Sequence, residues 1–156
     1  MARKFGKKRE ICIDPLAYNI GLIGESGIGK STIVKQLCEK LVGVEGYISL
    51  DIGREMGHNA ISGIITEEVP DWAKFEEIVD DIVENKKDYP ALKAIVIDTF
   101  DQLCDIAEKE VVRRWNVKLV KESKPKIETI NSAYGGFGKG LDKVIDIMLD
   151  KLMQLK

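Results

Sequence analysis

The sequence lacks the features of membrane and secreted proteins. No apolar run approaches the roughly 20 residues that cross a bilayer. The basic amino terminus is not followed by an apolar stretch of secretory type, because Asp14, Pro15 and Asn19 interrupt it. Three cysteines at wide spacings suit neither a disulfide framework nor a zinc site. These absences predict a cytoplasmic protein with reduced cysteines and no membrane partner.

Net charge is also nearly absent. The formal charge of -2 gives no global attraction to nucleic acid, but the charge is unevenly distributed. The amino-terminal tail is basic, and further lysines lie between residues 118 and 126. The single histidine, His58, is predicted to be a polar loop residue.

The sequence does have a regular alternation of short β-branched runs and longer helical periods, which is typical of an α/β domain. We expect a basic tail and lead-in over residues 1–18 and one α/β domain over residues 19–156. Strands are predicted at residues 19–24, 47–51 and 94–97. Helices are predicted at residues 31–41, 71–85, 103–115 and 141–155.

One motif carries specific chemistry. Residues 24–31 fit G-x-x-x-x-G-K-[ST] and lie between a predicted strand and a predicted helix, which is the context of a phosphate-binding P-loop. Lys30 is predicted to contact the β- and γ-phosphates of ATP, and Ser31 to place its hydroxyl on Mg²⁺. The predicted nucleotide contacts are Gly24, Glu25, Ser26, Gly27, Ile28, Gly29, Lys30, Ser31 and Thr32.

An acidic residue ends the apolar run at residues 94–97. Asp98 is predicted to act there as a Walker B carboxylate toward Mg²⁺. Thr99 follows, where many P-loop ATPases carry a catalytic Glu, so a base must come from elsewhere. Asp51 and Glu55 are the candidates for polarising the attacking water, and Glu55 is favoured.

A glycine-rich stretch at residues 134–140 contains Tyr134, Phe137 and Lys139. Aromatic faces beside cations suit single-stranded nucleic acid, because bases stack on aromatic rings while lysines contact phosphates. The alternative is a flexible interhelical loop whose Phe137 packs into the core. On the preceding helix, Trp115 is predicted to be a packing residue, and Arg113 and Arg114 to be solvated.

Together these residues resemble the RecA-like AAA ATPases of bacteriophage and prophage recombination modules, including those grouped with single-strand annealing functions. The resemblance covers residues 20–155 and includes the P-loop, the strand end at 50–53 with Glu55 and Gly57, and the strand end at 97–99. It implies that Lys30, Ser31 and Asp98 serve phosphate and Mg²⁺, and that Glu55 activates water. It also implies that residues 119–140 lie where RecA-like proteins carry their first DNA-binding loop. Separately, the cations of the basic tail are a second predicted contact with single-stranded DNA, and a homo-oligomer is a further option.

Members of this family continue past the last helix into further strands, whereas this sequence stops at Lys156. We therefore expect a three-layer RecA-like P-loop fold with a mostly parallel sheet that is incomplete at its carboxyl end. Direct pairing of the P-loop strand with the Asp98 strand, as in P-loop kinases, is the alternative.

The favoured function is a Mg²⁺-dependent ATPase of phage-type DNA recombination or replication. A non-catalytic ATP-dependent DNA-binding or assembly module and a small nucleotide or metabolite kinase are the alternatives.

Overall fold

A computed structural model describes residues 14–53 and 63–155. Its three strands form one parallel sheet in the order β2-β1-β3. The strands are β1 (Tyr47–Ile52), β2 (Thr66–Val69) and β3 (Ala94–Asp98). The long helices are α1 (Lys30–Val42), α2 (Trp72–Glu84), α3 (Phe100–Lys121) and α4 (Lys139–Gln154).

Helices cover both faces of the sheet. Val34 and Lys35 of α1 lie over the face that carries Ser49. On the opposite face Leu50 and Ile52 are fully buried in a core that α2, α3 and α4 complete. Successive residues of a strand point to opposite faces of the sheet, so β1 contributes side chains to the packing on both faces. The predicted α/β fold, an incomplete three-layer P-loop NTPase, is confirmed.

The sheet brings two carboxylates to one edge. β1 and β3 are parallel and in register, so that Asp51 lies beside Asp98 at their carboxyl ends. Ligands of open α/β sheets bind outside the carboxyl ends of the strands. This edge therefore positions the candidate site.

Capping residues set the helix boundaries that follow this edge. The side chain of Asp71 accepts a hydrogen bond from the Lys74 amide and begins α2, as the sequence predicts. Thr99 caps α3 in the same way through the Gln102 amide at 3.4 Å. The helix then runs 22 residues, longer than predicted, and Leu119 near its end is still buried.

The buried strand predicted over residues 19–24 is wrong. Within the described part of the chain this segment joins no strand, and Ile20, Leu22 and Ile23 are exposed. A strand needs a hydrogen-bonded neighbour, and β3 does not supply one here. The alternative in which the P-loop segment pairs directly with the Asp98 strand is therefore not observed.

No helix within residues 14–53 and 63–155 is long and apolar enough to span a bilayer. Cys38 and Cys104 are half-buried free thiols, and burial raises the pKa of each. Cys12 lies outside the described residues.

Candidate nucleotide-binding site

The loop before α1 has the backbone geometry that its glycines allow. Gly27 and Gly29 adopt positive φ angles of 77° and 94°, a region that residues with a Cβ rarely enter. Gly29 is the N-cap of α1, so Lys30 and Ser31 stand in the first helical turn. The amino-terminal amides of a helix carry a partial positive charge, which favours an anion at this position.

Lys30 folds back over this loop. Its Nζ donates hydrogen bonds to the carbonyl oxygens of Gly24 and Glu25, each at 2.8 Å. Both bonds are exposed, so the ammonium is held where solvent and ligands can reach it. Anionic oxygens are stronger acceptors than carbonyls, and a phosphate could therefore replace these contacts.

Ser31 and Asp98 meet although 67 residues separate them. The Ser31 hydroxyl donates a hydrogen bond to Asp98 Oδ2 at 2.8 Å in a half-buried position. Neighbouring oxygens around an octahedral Mg²⁺ with ligands at about 2.0–2.1 Å lie roughly 2.9 Å apart. The spacing and the all-oxygen chemistry of this pair therefore fit Mg²⁺.

Of the two acidic candidates for polarising water, the structure describes Asp51 but not Glu55. Asp51 lies beside Asp98 in the sheet register and is half-buried. Glu55, like His58, lies outside the described residues, so its role stays a prediction. Among the residues that the structure describes, no group of three or more His, Cys, Asp or Glu side chains could hold a metal. Among the described residues, Ser31 and Asp98 would therefore contribute to an ion site together with the ligand's own oxygens and water.

The glycine-rich stretch lies at the far end of α3. Tyr134 packs on Trp115 with ring centroids 4.4 Å apart, and the Lys118 ammonium lies 4.9 Å from the Trp115 ring centre. Phe137 is 99% exposed, so the interpretation in which it packs into the core is wrong. Trp115 lies 15 residues after Phe100, the first residue of α3. This separation corresponds to about 22 Å along the helix, measured from the edge of the sheet that carries Asp98.

The two arginines of α3 form a structural network. Arg113 and Arg114 donate to the buried Glu110 at 2.7 and 2.6 Å, and Arg114 also reaches Glu76 at 3.0 Å. The hydrogen bond from Arg113 holds the pKa of Glu110 below its ordinary value, although burial opposes it. Describing the arginines only as solvated missed this pairing.

Sequence reasoning also missed two buried hydroxyls beneath the site. Tyr47 and Ser49 alternate with apolar residues along β1 and lie on the same face as Asp51. Polar residues at every second position of a buried strand could have identified them. Both line a small cavity with Ser31 and Asp98.

A glycine loop that turns into a helix, a serine in its first turn and an aspartate on the adjacent parallel sheet define the class of P-loop nucleotide-binding proteins. The family model described as an AAA domain matches residues 16–152. The chain therefore belongs to the AAA domain family, in which the domain binds nucleotides. Searches of curated proteins and of solved structures each gave no significant match.

Proposed function

We propose that this protein binds ATP with Mg²⁺ on residues 24–32 and Asp98, and that it hydrolyses the γ-phosphate. The observation that carries the proposal is the 2.8 Å contact between Ser31 Oγ and Asp98 Oδ2. It joins the first turn after the phosphate loop to the end of β3. The two residues are 67 positions apart in the sequence, so tertiary folding and not local structure brings them together.

The roles of the site residues follow from their chemistry. Lys30 would exchange its two loop carbonyls for phosphate oxygens and neutralise charge that develops during phosphoryl transfer. Ser31 and Asp98 would hold Mg²⁺, which supplies electrostatic stabilisation to the phosphates when bound. ADP would occupy the same loop after turnover.

Activation of water requires a carboxylate near the open end of the sheet. Glu55 follows β1 in the sequence and is the residue that we propose for this role. Asp51 is the alternative, since it lies next to Asp98 at the same sheet edge.

We also propose a single-stranded DNA partner for residues 119–140, with a role in phage-type recombination or replication. The exposure of Phe137 supports it, because a base can stack only on a ring that solvent reaches. Lys118, Lys121, Lys124 and Lys126 are exposed along the approach to this loop. The amino-terminal tail would add cations but lies outside the described residues.

A turnover assay tests these functions together. Purified protein would be incubated with Mg·ATP alone, with single-stranded DNA, and with a panel of nucleotide and metabolite phosphate acceptors. Phosphate release that DNA increases is the expected result. Transfer to an acceptor would instead indicate a kinase. Nucleotide binding without any turnover would indicate a non-catalytic assembly or DNA-binding module.

The arginines weigh against the kinase. Small P-loop kinases usually close an arginine-rich lid over the phosphates. Arg113 and Arg114 are paired with Glu110 on α3, about 20 Å along the helix from its start at Phe100. Arg54 lies outside the described residues.

A further inference from the structure

Two hydroxyl groups are buried under the candidate nucleotide site. Tyr47 and Ser49 are each only 2% exposed. Tyr47 Oη and Ser49 Oγ have no hydrogen-bond partner among the residues that the structure describes. Buried polar groups are almost always satisfied, by protein or by ordered water, because leaving them unpaired costs stability. The pair therefore needs an explanation.

A cavity next to these hydroxyls supplies one. It lies between α1 and the sheet and is lined by Tyr47, Ser49, Ser31 and Asp98 together with Lys35 and apolar side chains. The space open to the centre of a water molecule is about 10 Å³, and roughly 10–15 Å³ on this measure holds one water. A buried water also needs two to four polar partners, which these residues can provide.

We propose that one water occupies this cavity and links Ser49 to Asp98, which makes Ser49 a positioning residue for the Mg²⁺-binding pair. The inference rests on the proposed nucleotide site. Ser49 would contact neither the nucleotide nor the ion. It would hydrogen-bond to Asp98 through the water in the cavity, while Ser31 contacts the same carboxylate from α1.

The physical benefit is a fixed carboxylate. The terminal torsion of an aspartate side chain is broad, and the Ser31 hydroxyl contacts one of its two carboxylate oxygens, Oδ2. A hydrogen bond from the enclosed water would narrow the rotation of this carboxylate further before the ligand arrives. Partners of this kind orient metal ligands, and their removal typically lowers metal affinity about 10- to 100-fold.

Ser49→Ala tests the inference because the two explanations predict different shifts in melting temperature. If the water links Ser49 to Asp98, the variant loses a hydrogen bond and its melting temperature falls or stays constant. If Ser49 Oγ is simply unsatisfied, alanine removes a buried polar group and the melting temperature should rise, by about 2–4 °C. Tyr47→Phe removes the other hydroxyl, and Lys40→Ala, at an exposed position in the last turn of α1, is the control.

The decisive readout is the ratio of nucleotide affinity in Mg²⁺ to nucleotide affinity in EDTA. Calorimetric titration with a non-hydrolysable ATP analogue under both conditions gives this ratio for each variant. We expect Ser49→Ala to lower this ratio about tenfold while the affinity in EDTA stays unchanged, and we expect Lys40→Ala to leave the ratio intact. An unchanged ratio in Ser49→Ala would overturn the inference while the proposed function survives. Wild-type protein that binds no nucleotide would instead refute the proposed function, and this inference with it.

Discussion

Truncation of Phe137 should separate two roles that aromatic residues can play in the glycine-rich stretch. The ring is 99% exposed, and its residue has a positive φ of 53°. Phe137→Ala therefore removes no buried surface, and we expect a stability change within about 0.5 kcal/mol, the range of ordinary surface substitutions. For a domain of this size that is a melting shift of no more than about 2 °C.

Tyr134 is the matched comparison, since it lies in the same stretch but packs against Trp115. An aromatic pair contributes about 0.5–1.5 kcal/mol beyond its buried area. Truncating a fully buried ring costs about 3–5 kcal/mol. A half-buried Tyr134 should therefore lose about 2 kcal/mol as alanine, which lowers the melting temperature by about 4–8 °C.

The assay measures melting temperature and single-strand affinity on the same samples. Stacking of one base is worth about 1–3 kcal/mol, so Phe137→Ala should weaken DNA binding roughly 5- to 150-fold without a melting shift. Affinity should also fall as salt rises, with a log–log slope of about -0.7 per phosphate neutralised. Unchanged DNA affinity in Phe137→Ala would remove this loop from any account of nucleic-acid binding. A large melting shift would show that the ring is packed.

Four further outcomes are expected. Asp98→Asn should reduce Mg²⁺-dependent nucleotide binding more than Mg²⁺-free binding, and equal losses in a titration would make Asp98 structural. Gly29→Ala forces a Cβ into the left-handed region at a cost of about 1–2 kcal/mol, so nucleotide affinity should fall; unchanged affinity would mean that the loop rearranges on binding. Glu110→Gln should lower stability by about 1.5–3 kcal/mol at neutral pH, because it weakens charge-assisted hydrogen bonds with both arginines. The pKa of Glu110 is lowered in the folded state. The stabilisation that Glu110 provides is therefore present at pH values above its ordinary pKa of 4.5, and it is lost as the pH falls through the folded pKa. A difference in melting temperature between wild type and Glu110→Gln that persists in strong acid would contradict this prediction. If turnover is observed, Glu55→Gln should lower its rate with little change in affinity, and a parallel loss of affinity would point to metal binding or folding instead.

Local signals predicted much of the fold. The Asp71 cap and the apolar spacing of α2 gave nearly the observed helix, and the apolar run before Asp98 gave β3. These features depend on a few consecutive residues and their periodicity. The contact between Ser31 and Asp98 was predictable for a different reason, because the P-loop motif implies a partner on a neighbouring strand.

Features that depend on tertiary pairing were not predictable in the same way. Residues 19–24 have strand composition, but whether they form a strand depends on a neighbour with which to share hydrogen bonds. β2 reads Thr-Glu-Glu-Val, a polar edge that becomes a strand only by pairing with β1. The alternation along β1 marks Tyr47 and Ser49 as polar positions of a buried strand, but their burial beside Asp98 depends on the position of α1 over β1.

The affinity of the Lys30→Ala variant for Mg·ATP tests the central claim most directly. Lys30 contributes exposed hydrogen bonds and no core atoms, so its melting temperature should not change. Calorimetric titration should show binding at least about tenfold weaker than wild type, because a charged phosphate contact is lost. Lys40→Ala, an exposed lysine at the other end of α1, should bind as tightly as wild type. Unchanged affinity in Lys30→Ala would contradict nucleotide binding on this loop.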